Sequence, residues 1–231
     1  MDPSGIYTLE APTNAIHVYK QPTGTRIACA ADIAPAIPFD RIKKFLGVDA
    51  AIVNMASGFD ITLETLDMIR MELRPRSTPI HFDYHNLSMG VSGNGERFRR
   101  PIPDWRRWAF MNTSVQLNEE ETVGLAMEKL TEAQTVGHLL TLGVHAVLIT
   151  RGAGGSTLFT SEHKKVLRHD FPAEEGVGGH DSTGLGDIFG AAFAFHHAQH
   201  ADMAAATEFA NRFAGTAAAL PRAERCRLRP A

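Results

Sequence analysis

The spacing of apolar residues changes along the chain, and each change marks an element. Residues 15–19 alternate, Pro22 and Gly24 punctuate 20–26, and 27–30 follow, which predicts a β-hairpin close to the start. Phe39, Ile42, Phe45 and Leu46 then recur at helical spacing. Leu63, Leu66, Ile69 and Leu73 do the same on one face of a helix over 63–73. Short apolar runs at 50–54, 79–83 and 144–150 read as buried strands, and 156–160 reads as a further strand. A long apolar run over 188–195 and a small-residue run over 205–219 predict two closing helices. Strands alternating with helices imply βαβ units, and so a parallel sheet covered on both faces. Ligands of such sheets bind beyond the carboxyl ends of the strands, which singles out Asn54, Asp83 and the loop after Thr150.

The stretch 90–111 fits neither period and is expected to be irregular. Its arginines at 97, 99 and 100 and its Trp105-Arg-Arg-Trp108 cluster could suggest nucleic acid. With a formal net charge of −3, a solvated loop and short helix is the expected reading, with one arginine facing phosphate as the alternative. That charge also argues against a general nucleic-acid or membrane-surface binder. At 231 residues and 44% hydrophobic, the chain is long enough for one domain with a sizeable core. No apolar run approaches the ~20 residues of a membrane span. The first six residues lack a signal-peptide pattern, and Cys29 and Cys226 lie far apart. A cytoplasmic location with reduced thiols is expected.

The richest chemistry lies in Asp181-Ser-Thr-Gly-Leu-Gly-Asp187, between a glycine-rich run and an apolar helix. Gly184, Leu185 and Gly186 should therefore stand at a helix mouth with free N–H groups, a ready anion site. A carboxylate there, Asp187, is awkward unless it serves as a base for a hydroxyl attacking phosphorus. Further on the amino side, Asn118 and Glu121 have the spacing of a helix cap with its reciprocal carboxylate. Thr150, Gly152 and Gly155 form a glycine turn directly after a strand. His196 and His200 form an i, i+4 pair with no third ligand in view, and surface histidines are the expected reading.

The run 181–187 resembles the D-T-x-G-A-G-D signature of the ribokinase/PfkB carbohydrate kinases, departing from it at Leu185. Asn118 and Glu121 resemble the N-x-x-E motif of that family, 150–155 its T-x-G-x-x-G loop, and Asn211 its closing asparagine. These occur in family order. The resemblance implies a three-layer α/β/α fold with a mostly parallel sheet and a small β lid. It would be one domain over 1–231, with a partial lid at about 6–30 and the core with its nucleotide site at about 38–231. It implies ATP-dependent phosphotransfer to an alcohol of a sugar, sugar acid or nucleoside. In that reading Asp187 is the base and the 184–186 amides the anion hole. Thr150, Gly152, Gly155, Asn211 and Asn118 lie at the nucleotide, and Asn118 and Glu121 hold magnesium through water. Asn54 and Asp83 become candidate sugar contacts, and 23–26 a lid tip. A monovalent cation and a homodimer through the lid are further expectations.

The family also opens with strands, an early aspartate and a Gly-Gly motif that residues 1–40 lack. The chain is therefore expected to be a fragment or a short variant, with an open sheet edge. The rival reading is a kinase-fold remnant that binds nucleotide or a partner chain without catalysis. Dinucleotide, P-loop and α/β-hydrolase signatures are not matched.

Overall fold

The computed structural model describes residues 8, 10–20, 26–110, 112–173, 182–226 and 228. Two antiparallel strands come first, β1 (Ala15–Lys20) and β2 (Arg26–Asp32), as the alternation predicts. The tip between them, residues 21–25, lies outside the described residues. Then follow α1 (Phe39–Ile42), β3 (Ala51–Val53), α2 (Leu63–Leu73) and β4 (Ile80–Asp83). The stretch expected to be a loop with a short helix holds that helix as α3 (Trp105–Ala109), but its earlier part instead folds into β5 (Met89–Val91) and β6 (Arg97–Arg99). Gly95, with φ of 84°, lies in the turn between β5 and β6. Strands of three residues are too short to show a period, so only the turn chemistry carried a signal.

The chain continues through β7 (Ser114–Asn118), α4 (Glu119–Gly124), α5 (Glu132–Thr141) and β8 (Ala146–Thr150). It ends with β9 (Ser156–Glu162), β10 (Lys165–Phe171), α6 (Leu185–His200), α7 (Met203–Ala218) and α8 (Arg222–Arg225).

Six strands form the central sheet in the order β10–β9–β8–β7–β4–β3. Pairings from β3 to β8 are parallel, and β9 runs against both of its neighbours. One face packs Ile80, Phe82, Val115, Leu117, Val147 and Ile149 against α2, α3 and α5. On the other face Ala146, Leu148 and Leu158 meet Phe189, Phe193, Ala206 and Ala210 of α6 and α7. Alanines let these two helices lie close to the sheet and to each other. This is the three-layer α/β/α arrangement, with the sheet mostly parallel.

Two details depart from expectation. Strand β3 forms an open edge of the sheet, as expected, but its Ile52 is 47% exposed where the run 50–54 reads as buried. The β5–β6 hairpin docks on the first hairpin, where the Ala30 N–H donates to Gly95 O at 2.8 Å and Cys29 bridges Glu96. The lid therefore has two hairpins, one of them inserted between β4 and α3. Among the described residues no helix is long and apolar enough to cross a membrane.

Candidate active site

Parallel strands deliver their carboxyl ends to one rim of the sheet, and the sequence places polar residues there. Asn54 follows β3, Asp83 ends β4, Asn118 ends β7 and Thr150 ends β8. Helix α6 begins over the same rim. Its N-cap, Gly184, has φ of 81°, a left-handed conformation that glycine adopts without strain. No described residue accepts from the amides of Gly184 or Gly186, whereas the Leu185 N–H donates to Ser182 O at 3.2 Å within the turn. Asp187 lies in the first turn, and a Cβ built on Gly184 would sit 3.8 Å from its Oδ2. Its other oxygen, Oδ1, accepts a hydrogen bond from Asn54 Nδ2 at 2.7 Å. Arg225, buried under the turn, donates to Thr183 O at 2.9 Å. Asp181 and the run 174–180 lie outside the described residues.

Asn118 and Glu121 form the expected reciprocal cap, with Asn118 Oδ1 accepting from Glu121 N and Glu121 Oε2 accepting from Asn118 N. Glu121 Oε1 also accepts from Asn118 Nδ2 at 2.8 Å, from His85 Nδ1 at 2.7 Å and from Arg99 Nη1 at 3.1 Å. Burial would raise this carboxyl, but His85, the Asn118 N–H and Arg99 outweigh it and hold it below the usual range. His85 is raised in turn, first by its hydrogen bond to Glu121. Arg99 belongs to β6, so the inserted hairpin is tied directly to this motif, and Arg99 also pairs with Glu120 at 3.0 Å. Asp83 stands beside them, its Oδ1 accepting from His85 N at 2.9 Å. Burial, then the charges of Glu121 and Asp187, push its carboxyl up to about 7.

These contacts decide how magnesium would fit. Both Glu121 oxygens are already occupied by donors, two of them cationic or cation-forming. Among the described residues no group of three or more acidic, histidine or cysteine ligands is placed to close directly on a metal. Direct ligation by Glu121 does not fit. An outer-shell role does, because Asp83 feels the charges of both Glu121 and Asp187 at the rim, a repulsion that a hydrated divalent cation would relieve.

The glycine loop divides into two roles. Gly155, φ 89°, is buried, and a Cβ there would lie 2.1 Å from Phe171 O and 2.6 Å from Ala173 N. Gly155 thus lets the loop pass the backbone beyond β10. Gly152, φ 55°, faces open space. Thr150 Oγ1 makes only a long contact of 3.4 Å to Leu117 O. Asn211 accepts from Ser156 Oγ at 3.0 Å and donates to Pro172 O at 2.8 Å, fixing α7 to the segment that enters 174–181. The rings of His196 and His200 meet tilted at 45°, with centroids 4.4 Å apart.

His81, His85, Gln116 and Arg225 were not singled out from the sequence, and Arg99 only as one of three arginines without an assigned partner. His81 carried a signal there, as a polar residue inside a run read as a buried strand, whereas Gln116 lay in a segment not read as a strand. The ion-pair partners carried none.

The family model for the pfkB family carbohydrate kinases matches residues 103–227. The chain belongs to that family. Among solved structures it is similar to a pyrophosphate-dependent kinase of the ribokinase family in complex with sulfate. That match has 17% identity and a TM-score of 0.72 over 94% of this chain and 75% of that one. It is also similar to Thermotoga maritima ribokinase, at 20% identity and a TM-score of 0.65, over 92% of this chain and 65% of that one. Arabidopsis thaliana ribokinase complexed with ribose and ATP gives 23% identity and a TM-score of 0.62, over 91% of this chain and 63% of that one. These likenesses show the ribokinase-like fold. Comparison with curated protein sequences gives no match.

Proposed function

We propose that this chain transfers the γ-phosphoryl group of ATP to an alcohol of a sugar, sugar acid or nucleoside. The observation that carries the reading is the placement of Asp187. It stands in the first turn of α6, with one oxygen held by Asn54 and the other over Gly184. Asp187 takes the proton from the attacking hydroxyl. The amides of Gly184 and Gly186 hold charge growing on the phosphoryl oxygens, helped by the dipole of a 16-residue helix. The Leu185 amide joins them only if it leaves Ser182 O. Asn54 and Asp83 face the acceptor side, while Thr150, Gly152 and Asn211 border the nucleotide side. Asn118 and Glu121 would hold magnesium through water, where it neutralises the triphosphate. A homodimer through the lid belongs to the same reading, since Val18 and Tyr19 of β1 are 61% and 58% exposed.

Magnesium-ATP binding tests the site without knowledge of the acceptor. Ligand at a hundred times its dissociation constant adds ~2.7 kcal/mol, a rise of several degrees in melting temperature. Gly186→Asp, which puts a carboxylate where phosphate would lie, should abolish the rise. Magnesium pyrophosphate forms the parallel arm, because one similar fold is that of a pyrophosphate-dependent kinase. A well-folded chain that shifts with neither donor leaves the non-catalytic, partner-binding reading.

A further inference from the structure

The sheet face beneath α6 is polar where an apolar face is expected. Along β4 and β7, Ile80, Phe82, Val115 and Leu117 point into the larger core. His81, Asp83, Ser114 and Gln116 alternate with them toward α6, and all four are buried. Three of these join in one chain of contacts. Gln116 Nε2 donates to Gly186 O at 3.0 Å, Gln116 Oε1 lies 3.3 Å from His81 Nε2, and His81 Nδ1 lies 2.9 Å from Ser114 Oγ.

The donors can be assigned from one end. A carbonyl oxygen only accepts, so the Gln116 amide nitrogen faces Gly186 and its oxygen faces His81. His81 therefore carries its proton on Nε2, and its bare Nδ1 accepts from the Ser114 hydroxyl. Burial pushes the imidazole down to about 4, so it holds this neutral form at physiological pH.

Helix α6 is shaped to admit this chain. Gly190 lies in its second turn, where glycine disfavours the helix relative to alanine. A Cβ at that position would come within 2.9 Å of Gln116 Oε1 and 3.0 Å of His81 Nε2. The glycine leaves the room that Gln116 needs to reach Gly186.

We infer that Gln116 is a positioning residue for phosphoryl transfer, holding the peptide between Gly186 and Asp187 while His81 and Ser114 fix the orientation of its amide. The inference rests on the kinase reading given above. A peptide is planar, so anchoring the Gly186 carbonyl in the sheet also fixes the Asp187 N–H at the helix mouth. It fixes the Cα that carries the carboxylate as well. Asp187 is then held from two sides, its backbone by Gln116 and its side chain by Asn54.

Two variants separate positioning from mere structural support. In Gly190→Ala the new methyl meets the amide end of Gln116 at 2.9 Å and the His81 ring at 3.0 Å rather than backbone, so it disturbs this chain of contacts, while alanine favours the helix. In Gln116→Met the volume is kept and the amide is lost. Wild type and both variants are titrated with magnesium-ADP, alone and with aluminium fluoride, which mimics the phosphoryl group in transfer. Gly190→Ala should melt within a few degrees of wild type without ligand, crowding offsetting the helix preference of alanine, and bind magnesium-ADP within about twofold. Both variants should lose about tenfold of the extra affinity that aluminium fluoride confers. Full retention of that gain in both variants would overturn the inference and leave the kinase reading standing. So would a loss that merely follows a fall in melting temperature. A wild-type chain that fails to bind magnesium-ADP would remove the kinase reading and this inference together.

Discussion

The carboxamide of Asn54 donates to Asp187 Oδ1 at 2.7 Å, joining residues 133 positions apart in the chain. The contact exists because β3 ends at the rim over which α6 begins. It fixes the rotation of the carboxylate, leaving Oδ2 on the Gly184 side, 3.8 Å from where a Cβ there would lie. Asn54→Ala should lower kcat about tenfold and change KM for ATP little, because it disturbs orientation rather than binding. Both residues are exposed, so the melting temperature should hold. Steady-state kinetics on an accepted alcohol gives the check, and a loss confined to KM would contradict it.

Glu121 should prove structural as well as functional. Glu121→Ala removes the acceptor of the α4 cap and leaves His85 and Arg99 without their shared carboxylate. A loss of ~3 kcal/mol is expected, read by denaturant unfolding. Glu121→Gln keeps an acceptor for the cap and should lose less, about 1–2 kcal/mol. Equal stability of both variants with wild type would mean that the cluster contributes little.

The two glycines of the 150–155 loop should respond differently. Gly155→Ala meets the Phe171 carbonyl at 2.1 Å in a left-handed conformation, and should cost ~3 kcal/mol or more. Gly152→Ala enters open space and should cost ~1 kcal/mol, from backbone strain alone. Thermal unfolding of the pair decides the matter, and similar costs would contradict the division of roles.

Asp83 gives a dependence on pH with a definite sign. Its carboxyl is raised from 3.8 to about 7, so the folded state holds a proton that the unfolded state has lost. The stability this contributes is fully present below pH 3.8 and is lost as pH rises through about 7. The slope is at most ~1.4 kcal/mol per pH unit. Asp83→Asn keeps an oxygen for the His85 N–H and removes the titration. Wild type should therefore lose stability relative to Asp83→Asn between pH 5 and about pH 7, followed by denaturant titration. Parallel curves across that window would refute the assignment.

Much of this architecture was legible because local chemistry and tertiary structure agree. The Asn118–Glu121 cap lies within one turn of helix, and 63–73 shows its apolar face by spacing alone. Val144 to Thr150 reads as a strand because both faces are buried, and β8 keeps four buried positions in a row. Strand β3 misleads for the opposite reason, since an apolar run does not reveal that its outer edge is unpaired. The β5–β6 hairpin hides in strands of only three residues, one of which carries two arginines. Contacts such as Gln116 to Gly186, 70 residues apart, follow from the order of strands, which no local pattern encodes. The polar His81 inside a run read as a strand was the one trace they left.

The central claim is that Asp187 acts as the base of a phosphoryl transfer at the mouth of α6. Its most direct test compares wild type with Asp187→Asn across a panel of sugars, sugar acids and nucleosides, following ATP consumption and magnesium-ATP binding together. The variant should bind magnesium-ATP nearly as wild type does, while kcat on the accepted alcohol falls by ~10²–10⁴. Equal turnover by the two proteins would contradict the account.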